Sequence, residues 1–452
     1  MYISAPPKID TPDLNNQLSV IPLPKAIYYL GLVSLLTDIS SEMVTSILPV
    51  FLYSVLLLPA LQVAFIDGLY QSAAAIIRLL AAHWAERWQR VKLIALCGYA
   101  LSFVAKLLLW LSLNYGFIAV LFSLLLDRLG KGIRTAPRDT LIANQVNHCT
   151  LGKAFGVHRT MDAFGALAGP FIASALLAYY NERYDLLFLV SAGFGLLGLW
   201  VLILKVPKKS VASFVPSTLV AKPSVSTDTL QNISLWQRIV AVCKQAAFMR
   251  LVIMAVLLNT FTLSDGLFYL SVQQQLNIPN YTVALMFGIA ASSFMLSAYL
   301  FGKKADNQGI GLIFAWAYGG LLLIYIAWTV FLNLNNTANE YFFNFKIVTL
   351  SEYYRYSIAV LITLLIGLFY GATDGVLIAG LAKECPRQYL TSGLALYTTL
   401  LSAAKFLSSL LYGWIWQTYG TTTAFACFTL GLALFSLVSI CFWNKKINFK
   451  FL

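Results

Sequence analysis

The sequence predicts an all-α membrane protein of twelve transmembrane helices, arranged as two pseudo-symmetric six-helix bundles. Three observations lead there. Apolar residues make up 59% of the 452 positions and charged residues only 11%, against roughly 45–50% and about 25% in soluble domains. A chain this apolar cannot cover its surface with polar groups, so lipid is its solvent. Twelve stretches approach or exceed the ~20 mainly apolar residues that a helix needs to cross a bilayer. A polar segment midway along the chain separates six of them from the other six. This composition excludes a soluble enzyme, a nucleic-acid binder and a secreted disulfide scaffold. The net charge of +13 then reads as positively charged cytoplasmic loops.

The expected spans are 26–56, 60–82, 91–113, 116–141, 152–179, 185–205, 248–273, 282–302, 309–332, 358–382, 389–416 and 422–443. Residues 1–25 form a polar, proline-bearing cytoplasmic tail without the apolar core of a signal peptide. The first bundle covers 26–205 and the second 248–443, with 444–452 as a second cytoplasmic tail. Between the bundles, 206–247 is a linker by composition, with Pro207, Lys208, Lys209, Pro216, Lys222 and Pro223. Its end, Trp236 to Phe248, is amphipathic enough to lie on the membrane surface. A second polar interruption, 333–357, holds Asn335, Asn336, Glu340, Glu352 and Arg355. With both termini inside, roughly 23 of the 31 Lys and Arg lie on the inner side and about 3 on the outer. The six cysteines are scattered without a paired motif and read as small buried residues.

Charged residues inside spans are costly and mark solute or proton paths. Span one carries Asp38 and Glu42, four apart on one helix face. Two carboxylates held close resist joint ionisation, which suits a proton carrier. Span four carries Asp127 and Arg128 deep inside, then Lys131, Arg134 and Arg138 as a basic face toward the cytoplasm. Span five adds His158, Arg159 and Asp162, followed by Gly165, Gly169 and Pro170. Arg159 and Asp162, three apart, have the spacing of a self-neutralising pair. Asp67, Asp265 and Asp374 are isolated carboxylates, with Arg78, Lys106 and Lys405 as candidate partners. Tyr70, Phe268, Tyr269, Tyr370 and Tyr397 are candidates either for a pocket lining or for ordinary packing.

Three motifs carry a resemblance to the major facilitator superfamily over nearly the whole chain. The loop after span two has a degenerate form of its Gly-x3-Asp-Arg-x-Gly-Arg motif, with Ala82, Glu86, Arg87 and Arg90, and the loop after span eight has a closer copy, Gly302-x3-Asp306-x2-Gly309. Leu124-x3-Arg128-x3-Gly132-x3-Ala136 in span four looks like the family's Arg-x3-Gly motif. Gly156-x8-Gly165-x3-Gly169-Pro170 in span five looks like the antiporter motif of the twelve-helix drug/proton branch, with Ala173-Ser174 in place of its closing glycines. The stretch Asp127 to Asp139 also resembles a bacterial subgroup of mostly unassigned substrate; some similar transporters are linked to siderophore traffic.

The resemblance implies that spans one, four, seven and ten surround a central cavity. Each carries an acid: Asp38 and Glu42, Asp127, Asp265, Asp374. It also implies that Arg128 faces the cavity and assists proton exchange, and that Glu86, Arg87 and Arg90 form a cytoplasmic latch. Gly165, Gly169 and Pro170 would let span five pack closely and kink. The expectation is a monomeric secondary transporter of the bacterial inner membrane, working by alternating access. Its partners are the lipid bilayer, a small organic solute and protons, with no nucleic acid, metal or cofactor. Export by proton antiport is the first reading. Its rivals are proton-coupled uptake of a siderophore or metabolite, for which the basic face suits an anion; a channel; and a membrane enzyme built on His83 and Glu86, a poor metal site.

Overall fold

A computed structural model of the chain describes residues 23–73, 91–111, 116–146, 150–207, 235–341, 352–386 and 389–447. Among these the chain is helical and turn-linked, with no strand. Nine helical stretches are long and apolar enough to span a membrane. The last of them, Ser392–Ser439, contains both span eleven and span twelve. Span two is described only over 60–73. Span four, Gly116–Ala143, is long enough, but its charges interrupt every apolar window. Ten of the expected spans lie in these nine stretches and span four in Gly116–Ala143, while the rest of span two lies outside the described residues.

Span one is Lys25–Val50, continued by a π-helical turn Phe51–Val55 just past Pro49. A proline removes one ladder hydrogen bond, and a π-turn absorbs the misfit. Spans three, five and six are Val91–Leu111, Leu151–Tyr179 and Tyr184–Lys205. Spans eight, nine and ten are Tyr281–Gln308, Ile310–Tyr341 and Glu352–Glu384. Spans eleven and twelve share one helical run, Leu390–Ile447, broken at Gly420, where φ is 87°. The positive φ suits a residue without a Cβ.

Three boundaries differ from expectation. The polar interruption 333–357 is largely helical at its two ends, because spans nine and ten run past the bilayer into their polar flanks. The end of the linker folds as a short helix, Leu235–Cys243. Span seven is not one helix: Ala246–Thr260 stops and Asp265–Leu276 restarts after a four-residue break.

Span one packs against five and six, and three against four. Span eight packs against both ten and five. Gly165 and Gly169 explain the first contact. A Cβ on Gly165 would sit 2.5 Å from the Leu35 carbonyl oxygen, and one on Gly169 2.9 Å from the Ile39 carbonyl oxygen. Close backbone approach through small residues is how helices bind each other without a hydrophobic drive. On the other side, Leu296, Tyr299, Leu430 and Ile118 stand exposed, the apolar coat that lipid would cover.

Candidate functional site

The break in span seven builds the central cavity. Ser264 ends the gap as an N-cap, its hydroxyl accepting from the Leu267 N–H at 3.4 Å. Asp265 is therefore the first residue of a half-helix, where the positive end of the helix dipole favours an anion. Tyr370 on span ten donates its hydroxyl to Asp265 Oδ1 at 2.7 Å. Asp67 on span two is buried; its Oδ2 accepts from Gln71 Nε2 at 3.0 Å and from the Ser409 hydroxyl on span eleven at 3.2 Å. Asp67, Gln71, Ser264, Asp265 and Tyr370 border a cavity of about 370 Å³, together with Thr45, Tyr70, Phe287, Asp374 and Lys405. Its volume is in the range of small-molecule sites. Asp374 stands open to it and Lys405 is half-buried. Spans from both ends of the sequence line it, so it lies where the two groups of helices meet.

One end of this meeting zone is sealed. Glu182, between spans five and six, accepts from the Asn280 N–H at 3.1 Å and from Asn280 Nδ2 at 2.8 Å, between spans seven and eight. The Leu61 N–H donates to Gln417 Oε1 at 3.1 Å, and Tyr53 stacks on Trp416 with ring centroids 5.2 Å apart. By connectivity all of these lie at the end opposite the chain termini. Asn181 and Glu182 hold positive φ angles of 51° and 59°. That conformation is strained for residues with a Cβ, and it forms the tight turn carrying Glu182 to Asn280.

Beside the cavity lies a buried charge network. Lys106 on span three forms an ion pair with Asp127 at 2.8 Å, and Arg128 reaches the same carboxylate at 3.4 Å. The Arg128 guanidinium lies 3.5 Å from the centre of the Tyr70 ring. Tyr70 in turn shares a 3.0 Å hydrogen bond with Thr45. As Tyr70 and Thr45 also line the cavity, they connect it to the network. Arg134 donates to the Ser102 hydroxyl at 2.6 Å and lies over the Tyr99 ring. Toward the termini, Arg138 pairs with Asp139 at 3.0 Å and Asp162 at 3.7 Å. The Ser34 hydroxyl donates to Asp162.

The structure thus brings together some expected site residues and separates others. Asp265 and Asp374 line the cavity, Asp127 and Arg128 form the neighbouring network with Lys106, and Asp38 and Glu42 do not line the cavity. Lys131, Arg134, Arg138, His158 and Arg159 do not line it. Of the two readings open for Arg159 and Asp162, mutual neutralisation is not the arrangement found: Arg159 is exposed, and Asp162 takes Arg138 and Ser34. His158 is buried, and its Nε2 has no hydrogen-bond partner among the described residues. Of the glycines in its motif, Gly156 has open space where a Cβ would stand, unlike Gly165 and Gly169. Gly309 caps span eight with φ 93°, and Asp306 pairs with Lys383 at 3.1 Å on the surface. Gly302 has open space around it. Glu86, Arg87, Arg90, His83 and Arg78 lie outside the described residues. Of the candidate aromatics, Tyr70 and Tyr370 line the cavity, while Phe268, Tyr269 and Tyr397 are buried.

A helical bundle with a polar cavity at the seam of two groups of spans, sealed at one end, is the architecture of a membrane transporter. The chain belongs to the Major Facilitator Superfamily, whose family model matches residues 30–403. It is similar to an uncharacterized MFS-type transporter of Methanocaldococcus jannaschii, 37% identical over 177 residues, which is 39% of this chain and 44% of the relative. It is also similar to an uncharacterized protein of Mycobacterium tuberculosis, 32% identical over 155 residues, or 34% of this chain and 37% of the relative. The chain thus spans less than half the length of these curated relatives. Among solved structures, a nucleoside transporter, NupG, superposes with a TM-score of 0.71 at 11% identity, covering 93% of this chain and 99% of that one. A POT family transporter in complex with 5-aminolevulinic acid gives 0.69 at 14% identity, covering 95% and 99%. At such identity these two structures establish the fold alone. The chain is accordingly a transporter and not an enzyme.

Proposed function

We propose that the chain exports small organic cations across a bacterial inner membrane in exchange for protons, with both termini cytoplasmic. The observation that carries this reading is the charge of the cavity. Three carboxylates, Asp67, Asp265 and Asp374, face one ammonium, Lys405, among its described lining residues. A desolvated site with surplus negative charge favours a cation and rejects an anion. The basic residues that would suit an anionic siderophore belong to other surfaces, which weakens the uptake reading. Asp374 is the natural counter-ion, since it stands open to the cavity while Asp67 and Asp265 are held by Ser409, Gln71 and Tyr370.

The coupling proton is assigned to Asp38 and Asp162. Asp38 stands one turn beyond Ser34, whose hydroxyl donates to Asp162; two neighbouring carboxyl groups resist joint ionisation, and Arg138 and Ser34 stand ready to accompany the ionised form. The resemblance of span five to an antiporter motif agrees with exchange. An exporter loads from the side of the termini, the end opposite the Glu182–Asn280 contact.

The test is proton flux in inside-out vesicles carrying an acid-inside gradient, challenged in turn with aromatic amines, organic acids and ferric siderophores. Amines should dissipate the gradient in the wild type and not in Asp374→Asn. Dissipation by acids or siderophores alone would replace the cation reading with its rival.

A further inference from the structure

We propose that Asp67 is the pin that holds the two groups of helices together at the sealed end, and that it must leave its partners each time that end opens. This rests on alternating access but not on the identity of the solute. The Asp67 carboxylate comes from span two, among the first six helices, yet most of what surrounds it belongs to the last six. Ser409 on span eleven donates to it at 3.2 Å. A Cβ placed on Gly266 would lie 3.2 Å from Asp67 Oδ1 and 2.5 Å from Pro49 Cγ on span one. The carboxylate therefore lies at the start of the half-helix Asp265–Leu276, where unpaired N–H groups and the helix dipole favour an anion.

The same seam is tight around it. A Cβ on Gly68, the next residue, would meet Ser409 Cβ at 3.0 Å, and one on Gly413 would collide with Ala64 Cβ. Backbones this close hold Ser409 against Asp67 while the seam is shut. Only Gln71, one turn along the same span, would travel with Asp67 when the groups of helices separate. Breaking charge-assisted hydrogen bonds across a moving interface favours the sealed state, and each such bond is worth a sizeable part of a gating equilibrium.

The experiment reads that equilibrium without any solute. In the full-length chain with its six native cysteines replaced, nitroxide labels are placed at Tyr180→Cys and Tyr419→Cys, exposed positions at the sealed end on opposite sides of the seam. Electron–electron distance distributions are recorded in lipid nanodiscs. Asp67→Ala should raise the ratio of long to short distances by about tenfold, the equivalent of one charge-assisted hydrogen bond. Ser409→Ala, which removes the donor across the seam, should shift it the same way. Gln71→Ala, which removes the donor on the same side of the seam, should leave the ratio unchanged. The proposal is overturned if Asp67→Ala folds and leaves the distribution unaltered. Should Asp67→Ala fail to fold, equal responses to Gln71→Ala and Ser409→Ala would overturn it as well.

Discussion

Replacing Lys106 with methionine keeps the length of the side chain and removes its ammonium from a buried network. Lys106 is 4% exposed and Asp127 6%. In the variant, Asp127 keeps only Arg128, at 3.4 Å, as an ion-pair partner among the described residues. Breaking a buried pair on one side costs about 3–5 kcal/mol, because the remaining charge stays desolvated. The remaining arginine places Lys106→Met at the lower end, about 3 kcal/mol. Asp127→Leu should cost more, near ~5 kcal/mol. It strands Lys106 and Arg128 together, with the Arg134 guanidinium on the same pair of helices. The double variant, Lys106→Met with Asp127→Leu, removes both desolvated charges of the pair. It should be less destabilised than the sum of the single variants by at least about 2 kcal/mol. The assay is unfolding by sodium dodecyl sulfate in mixed micelles, followed by tryptophan fluorescence. Strict additivity of the two single effects would refute the reasoning, since it would mean that the two charges do not sense each other.

Other consequences follow from the same contacts. Gly165→Ala should abolish stable expression, because its Cβ would fall 2.5 Å from a backbone carbonyl oxygen that cannot yield. Gly156→Ala in the same motif meets nothing, and by helix propensity should stabilise by up to about 1 kcal/mol; thermal unfolding in detergent separates the two. Tyr70→Phe should retain most transport, since the ring under Arg128 survives, whereas Tyr70→Leu should lose it; initial uptake rates into inverted vesicles decide. Arg138→Ala should depress exchange at least about tenfold, while Arg159→Ala should leave it within about a factor of two, by the energetics of a half-buried pair against an exposed charge.

The spans were legible because lipid imposes one rule on every one of them. About twenty apolar residues suffice for a helix to cross, and composition alone reports that. That span five packs closely through Gly165 and Gly169 was implied by the resemblance; that its partner is span one was not legible and comes from the contacts. Which charges meet was not legible either. Lys106 and Asp127 are 21 residues apart, and nothing local distinguishes that pairing from Lys106 with Asp67. Spacing left the pairing of Arg159 with Asp162 open for the complementary reason: correct helical spacing does not ensure pairing when Arg138 on another span is nearer. The break in span seven was hidden inside an apolar run, yet it carried a signal. Ser264-Asp265 in mid-span is an N-cap followed by a first-turn acid, and it marks the place where the cavity opens. Gln71 and Ser409 could not have been singled out, because small polar residues are common in spans and only tertiary contact gives these two a role.

The exchange itself is tested most directly with purified protein in liposomes at equal internal and external pH. An outward gradient of an aromatic amine that passes the vesicle screen is imposed, and the internal pH is followed with a trapped dye. Proton-coupled antiport requires the lumen to acidify as the amine leaves, and requires Asp38→Asn combined with Asp162→Asn to abolish that acidification. Alkalinisation as the amine leaves would mean that proton and solute travel together, and would contradict the export reading at its centre.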